Sequence, residues 1–403
     1  PVLQRWFAAT GHRSSADPYF LYAASNVGSM LGLLGYPLIL EPRLGVAQQT
    51  RLWAAGYAVL VLLMAGCAAW VLRRVGHSPL SAPGEDDTAA GLHGGADDAA
   101  PGAATDRATT DAALGDVTYR RALQWVLLSF IPSSLMIGAT THITTDIASF
   151  PLLWVIPLAI YLLSFILVFA RRTLLPHWLM VRALPILVLP MVVALALRAN
   201  QPVVVLVPLH LLLLFVVSML CHGQLAMDRP SPRHLTAFYL WLSVGGVLGG
   251  LFNALVAPQV FTNVAEYPIA LVLACLLGPA VAAGIAAGSR RQRALDLALP
   301  IVLGAATALA VVRVATTGTG TGPVLASLMF ALAALIAFGF SRRPLRFGLA
   351  VAAILLASQL YAGRFGHALY AERSFFGVNR VALSDDGAFR LLPPDVPAAP
   401  AGG

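Results

Sequence analysis

The chain has no lysine and little charge of any kind. Of its 403 residues, 11% are charged and 58% hydrophobic, where a soluble chain carries about 25% and about 45–50%. So few charges cannot cover that much apolar surface, which excludes a soluble protein. The basic residues are 26 arginines against 18 acids, a net +8. A basic excess points to nucleic acid only when it gathers on one soluble face, so the positions must decide. The missing lysine itself carries no functional reading. Cysteine is scarce as well. Cys67, Cys221 and Cys275 make no CxxC and, being odd in number, no disulfide framework. They read as small buried apolar residues. Also missing are a Gly-x-Gly-x-x-Gly after a strand, a P-loop, HExxH and Gly-x-Ser-x-Gly. No catalytic residue, cofactor or metal is therefore expected. Residue 1 is proline, and the opening PVLQRWFAATGHRSSAD does not itself have a signal-peptide pattern. That opening reads as a helix end, so a fragment is expected, with a second cut in the tail PPDVPAAPAGG.

What is present is apolar and periodic. A membrane helix needs about 20 predominantly apolar residues. Eleven stretches qualify: 18–40, 51–72, 121–139, 151–170, 177–197, 202–221, 236–257, 267–287, 294–315, 323–341 and 346–363. Residues 77–119 differ, being rich in Ala, Gly, Asp and Thr and holding eight of the 18 acids. With so few large apolar side chains this stretch cannot offset its ordering entropy and is expected to be a disordered linker. After Gly363 the period changes to that of strands. SFFGVNRVAL and AFRLL around Ser-Asp-Asp-Gly predict a β-hairpin.

The arginines alternate. They cluster at 73–74 and 120–121, 171–182, 229–233, 290–293 and 342–346, while 140–150, 258–266 and 316–322 have none. Arg43, Arg51 and Arg198 are the exceptions. Basic loops face the cytoplasm, so the charge is a topology signal and not a nucleic-acid footprint. The linker is then cytoplasmic, and eleven crossings leave the tail extracytoplasmic.

Two helices repeat. FLYAASNVGSMLGLLGYP and FYLWLSVGGVLGGLFNALVAP match at a shift of 218, pairing Phe20 with Phe238, Ser25 with Ser243, Gly28 with Gly246 and Gly32 with Gly250. Gly-xxx-Gly allows close helix approach, and parallel repeats six helices apart are the plan of major-facilitator transporters. The expected fold is an all-α polytopic membrane protein of about eleven transmembrane helices, with a major-facilitator-like parallel repeat and a short C-terminal β-hairpin. Residues 1–73 end a first membrane half, 74–120 link, 121–287 form the second half, 288–363 add helices and 364–403 begin a soluble domain.

The strings DPYFLYAASNVGSMLGLLGYPLILEP, TTHITTDIASFPLLWVIPLAIYLLSF and HLTAFYLWLSVGGVLGGLFNALVAP resemble those of fused major-facilitator-like/spermidine-synthase-like membrane proteins. RSFFGVNRVALSDDGAFRLL resembles the hairpin opening the soluble domain of that family. The resemblance implies a bacterial inner-membrane protein, and a transporter of a small polar or polyamine-type substrate. It equally implies a non-transporting scaffold for an aminopropyltransferase-type domain. The donor-binding Gly-rich loop and acids of such a domain are not in these residues, so no catalytic residue carries over.

Three polar groups are candidates for function. In TTHITTD, His142 and Asp146 are four apart and share a helix face. With Thr141 and Thr145 they form a proton-responsive pair or an outer loop meeting water. Asn26 and Asn253, on the glycine-bearing repeats, bind substrate or make static interhelical bonds. Gly28, Gly32, Gly246 and Gly250 are the expected packing positions. Cys221 and His222 lack a second ligand pair for a metal, and Asp228 is expected to pair with Arg233 across a short polar loop. His210 reads as a core histidine bonded to a carbonyl, Glu266 as an acid at a helix start, and Trp125 and Trp154 as interfacial anchors. The partners expected are the lipid bilayer and a small-molecule substrate, with no nucleic acid.

Overall fold

In hydrocarbon every backbone N–H and C=O must be satisfied within its own segment, so long apolar runs fold as helices. A computed structural model describes residues 4, 7, 19–75, 118–147, 151–170, 174–230, 234–283, 289–316, 322–361, 368–374, 377–383 and 389–392. The helices are α1 (Phe20–Gly35), α2 (Val46–Val75), α3 (Tyr119–His142), α4 (Val155–Phe169), α5 (His177–Ala196) and α6 (Val203–Met227). They continue as α7 (Leu235–Leu251), α8 (Glu266–Ala283), α9 (Arg290–Thr316), α10 (Gly322–Phe338) and α11 (Pro344–Ala357). Among the described residues, seven helical spans are long and apolar enough to cross a membrane, and four shorter helices are also apolar. The chain is an all-α polytopic membrane protein. Most of the expected linker, 74–120, lies outside the described residues.

Contacts show how the helices run. Ser129 of α3 donates to the Leu242 carbonyl of α7 (2.7 Å) and Ser133 to that of Gly246 (2.9 Å), so these two helices are parallel. Arg121 at the start of α3 pairs with Asp228 after α6 (3.0 Å), while the His142 ring at the end of α3 lies 5.1 Å from that of His210 near the start of α6. Those two are antiparallel. Asp296 of α9 holds Arg346 of α11 at 2.7 Å. Gln224 near the end of α6 meets His177 at the start of α5 (2.8 Å), so Arg121, Arg182 and Arg229 mark one end, called here the basic end, and Arg346 lies with the start of α9. The end of α3 and the starts of α6 and α8 mark the other.

The sequence repeat has a structural counterpart. α1 runs into a π turn, Tyr36–Leu40, then a short Pro-bearing helix, Glu41–Arg43. α7 runs into the π turn Phe252–Val256, then Ala257–Val260, again with proline. The register slips between the copies: Gly32 to Pro42 spans ten residues, and Gly250 to Pro258 eight.

Packing glycines differ from those expected. Gly28 and Gly32 face open space, and Gly246 and Gly250 have only side chains within ordinary contact, at 3.8 and 4.0 Å. The close approach is one residue earlier. A methyl at Gly245 would strike the Val126 carbonyl of α3, and one at Gly249 would sit 2.8 Å from that of Phe130. Gly246 and Gly250 share the repeat's spacing, but the neighbouring face of α7 is the one turned to α3. Cys221 and Cys275 are buried as expected, whereas Cys67 is exposed on α2. Trp125 is fully buried and its Nε1 donates to Asp228 at 2.8 Å, so it is no lipid-facing anchor. Trp154 is exposed.

The C-terminal element has three described strands where a hairpin was expected: β1 (Ala368–Ser374), β2 (Gly377–Leu383) and β3 (Phe389–Leu392) in the order β1-β2-β3. Both pairs are antiparallel, with Arg373 opposite Val378 and Val381 opposite Leu391. The extra strand comes from ALYAERS, which pairs with residues 377–382 of β2. Val378 is buried in the helical core, so the sheet sits on the bundle.

Candidate functional site

α3 does not stop at His142. It passes into the π turn Ile143–Ile147, a geometry that recurs at functional sites. Thr140 and Thr144 turn their hydroxyls back onto the carbonyls of Met136 (2.7 Å) and Thr140 (2.8 Å). Such back-bonding bends helices. Thr141 and Thr145 are half-buried beside them. The π turn still leaves Asp146 on the face of His142, and its carboxylate meets His142 Nδ1 at 2.8 Å. Their side chains are 15% and 27% exposed, so the pair faces inward from a partly open position.

Two residues complete the site. The His142 ring stacks on Tyr267 of α8, with centroids 5.4 Å apart and planes at 21°. Tyr267 Oη lies 2.7 Å from His210 Nδ1 and 3.6 Å from Met191 Sδ of α5. His210 and Tyr267 are buried to 1% and 0% exposure. His210 therefore bonds a tyrosine hydroxyl from another helix, not the backbone carbonyl expected. Gly138 makes this possible. A methyl there would stand 3.1 Å from Tyr267 Cα, so glycine lets α8 lie against α3.

The arrangement can hold a proton in several places. Asp146 holds the orientation of the His142 ring through its Nδ1. A second imidazole, that of His210, lies 5.1 Å away. Ionisable and polar groups inside a helical membrane body are costly and by default functional.

Glu266, one residue before Tyr267, is 1% exposed. Arg373 of β1 grips it through two bonds of 2.7 and 3.0 Å and also donates to the Asn263 carbonyl at 2.6 Å. Glu266 stands at a helix start as expected, and its partner, with no local pattern to announce it, is this guanidinium 107 residues away.

The asparagine Nδ2 groups make bonds within or between helices, and Asn253 Oδ1 is buried without a partner. Asn26 donates to the Tyr22 carbonyl of its own helix (2.8 Å). Asn253 donates to Ser134 Oγ of α3 and to the Gly249 carbonyl, both at 2.8 Å. Neither joins the histidine cluster. Asp228 pairs with Arg121, while the expected partner Arg233 lies outside the described residues. No His, Cys, Asp or Glu grouping among the described residues could hold a metal ion.

No family model, curated protein or solved structure matches the chain.

Proposed function

We propose that the chain is the membrane region of a major-facilitator-like/spermidine-synthase-like fusion and moves a small polar or polyamine-type substrate by alternating access. Eleven crossings, with the basic end cytoplasmic, follow from the arginine asymmetry and the positive-inside rule. The observation that carries the transport reading is the polar cluster of Asp146, His142, His210 and Tyr267. Three helices contribute to it, and it forms at a π turn. A proton on the His142–Asp146 pair changes the charge where α3, α6 and α8 meet, which is a means to bias one arrangement of the helices over another. For a polyamine the acids are few and lie at helix ends: Asp146 is taken by His142 and Glu266 by Arg373.

Uptake of radiolabelled polyamines and small polar solutes into proteoliposomes under an imposed proton gradient tests the reading. The wild type should accumulate one of them, and His142→Ala and Asp146→Ala should not. Equal uptake by both variants removes the cluster from the mechanism.

A second reading is a scaffold that positions a spermidine-synthase-like domain without transport. The Arg373–Glu266 pair favours it, because it seats the first strand of that domain on the bundle. Wild-type vesicles that accumulate none of the solutes would favour this reading.

A further inference from the structure

A second buried histidine lies toward the basic end of α6. His222 is 0% exposed, as is Ser218 one turn before it. Residues four apart on a helix share a face. The rings around His222 are apolar or phenolic: Phe165 stacks on it with centroids 3.6 Å apart, and Tyr161 meets it edge-on at 5.2 Å and 77°.

The tautomer of His222 can be read from its neighbour. Ser164 Oγ lies 2.6 Å from the Tyr161 carbonyl oxygen. Two oxygens approach that closely only with a proton between them, and a carbonyl has none, so the serine hydroxyl donates there. Ser164 has no second proton to give His222 Nδ1, 2.8 Å away. Nδ1 therefore carries the hydrogen and donates to Ser164, which leaves the lone pair on Nε2. Nε2 and Ser218 Oγ are both buried without a hydrogen-bond partner. One is an acceptor in need of a donor. The other is a hydroxyl with a proton to give. Buried polar groups in native proteins are paired, through ordered water where protein groups do not reach.

The geometry points to an internal water site between Ser218 and His222, the water accepting from the serine hydroxyl and donating to Nε2. This site is independent of the transport reading. It differs from the cluster at the other end, where neither His142 nor His210 has a buried ring nitrogen without a partner. The region below it is polar: His177 lies against Gly223, where a methyl would come within 2.7 Å of its Nδ1, and its Nε2 is 2.8 Å from Gln224 Nε2. α6 thus carries an imidazole near each end, twelve residues apart, roughly 18 Å along the axis. Leu213, Leu214, Val216 and Val217 fill the interval and are buried.

Nuclear magnetic resonance of the full chain, labelled with 15N-histidine in lipid nanodiscs, tests this. The chain has nine histidines, and His222→Gln assigns the resonance by its loss. The expected result is a Nδ1–H tautomer for His222 and a cross-peak between its ring protons and water. Ser218→Ala should keep the tautomer and lose the cross-peak. Ser164→Ala should release the tautomer. The unchanged His210 resonance reports that each variant is folded. A Nε2–H tautomer in the wild type, no water cross-peak there, or an undiminished one in folded Ser218→Ala would overturn the site. If the variants do not fold, the wild-type tautomer and cross-peak decide alone.

Discussion

α1 and α7 have matching sequences and the same helix, π turn and proline ending, yet only α7 is packed along its length. α7 lies on α3 through Gly245 and Gly249 and through the serine bonds to its carbonyls. α1 is held near its start. Tyr19 donates to the Pro230 carbonyl (2.8 Å), and Tyr22 meets Phe165, Phe169 and Tyr239 edge-on or tilted at 4.8–5.4 Å. Beyond that, its glycines face open space. The next helix goes further: none of the most apolar stretch of Val46–Trp70 is buried, against 67% for Tyr119–Ile147. A small-residue motif therefore permits close approach without producing it. A partner helix with a complementary row, here Ser129 and Ser133, is the other requirement.

The largest expected effect belongs to the packed body. Glu266→Gln or Arg373→Met leaves a buried charge alone and should cost about 3–5 kcal/mol, read by thermal unfolding in detergent. Equal stability of either variant would mean that the sheet is not seated as described. Next, Gly245→Leu and Gly249→Leu overpack the α3–α7 contact and should cost about 1–3 kcal/mol or more. Gly28→Leu and Gly32→Leu should stay within about 0.5 kcal/mol. A comparable loss in the α1 variants would erase the difference between the two copies. The smallest contrast concerns the amides. Asn253→Ala removes an interhelical bond worth about 0.6 kcal/mol, while Asn26→Ala removes only a bond within α1 and should be near neutral.

Much of this was legible in the sequence, for particular reasons. Helix positions followed from run length because hydrocarbon leaves the backbone no alternative. The His142–Asp146 contact followed from its spacing, since i and i+4 meet on any helix. His210 and Tyr267 were not placed in that site because their meeting depends on which faces of α6 and α8 turn toward α3. The clue was Gly138, an isolated glycine one turn before His142, marking a close backbone approach. Arg373 was beyond reach for the same reason: an ion pair over 107 residues has no local pattern. Trp125 misled because tryptophan at a helix start is common at interfaces, and only the nearby Asp228 carboxylate explains its burial. The glycine register failed by one residue, because a repeat gives spacing and not the direction of a helix face.

The histidine cluster and the C-terminal sheet lie together, at the end opposite Arg121. The most direct measurement is a pair of topology reporters, one fused after Gly403 and one inserted within 76–117. The C-terminal fusion should be active only with a reporter that works outside the cytoplasm, and the inserted one only with a cytoplasmic reporter. Cytoplasmic activity at Gly403 would contradict this. The eleven crossings would then be wrong by one, and the sheet could not share an outer end with Asp146 and Glu266.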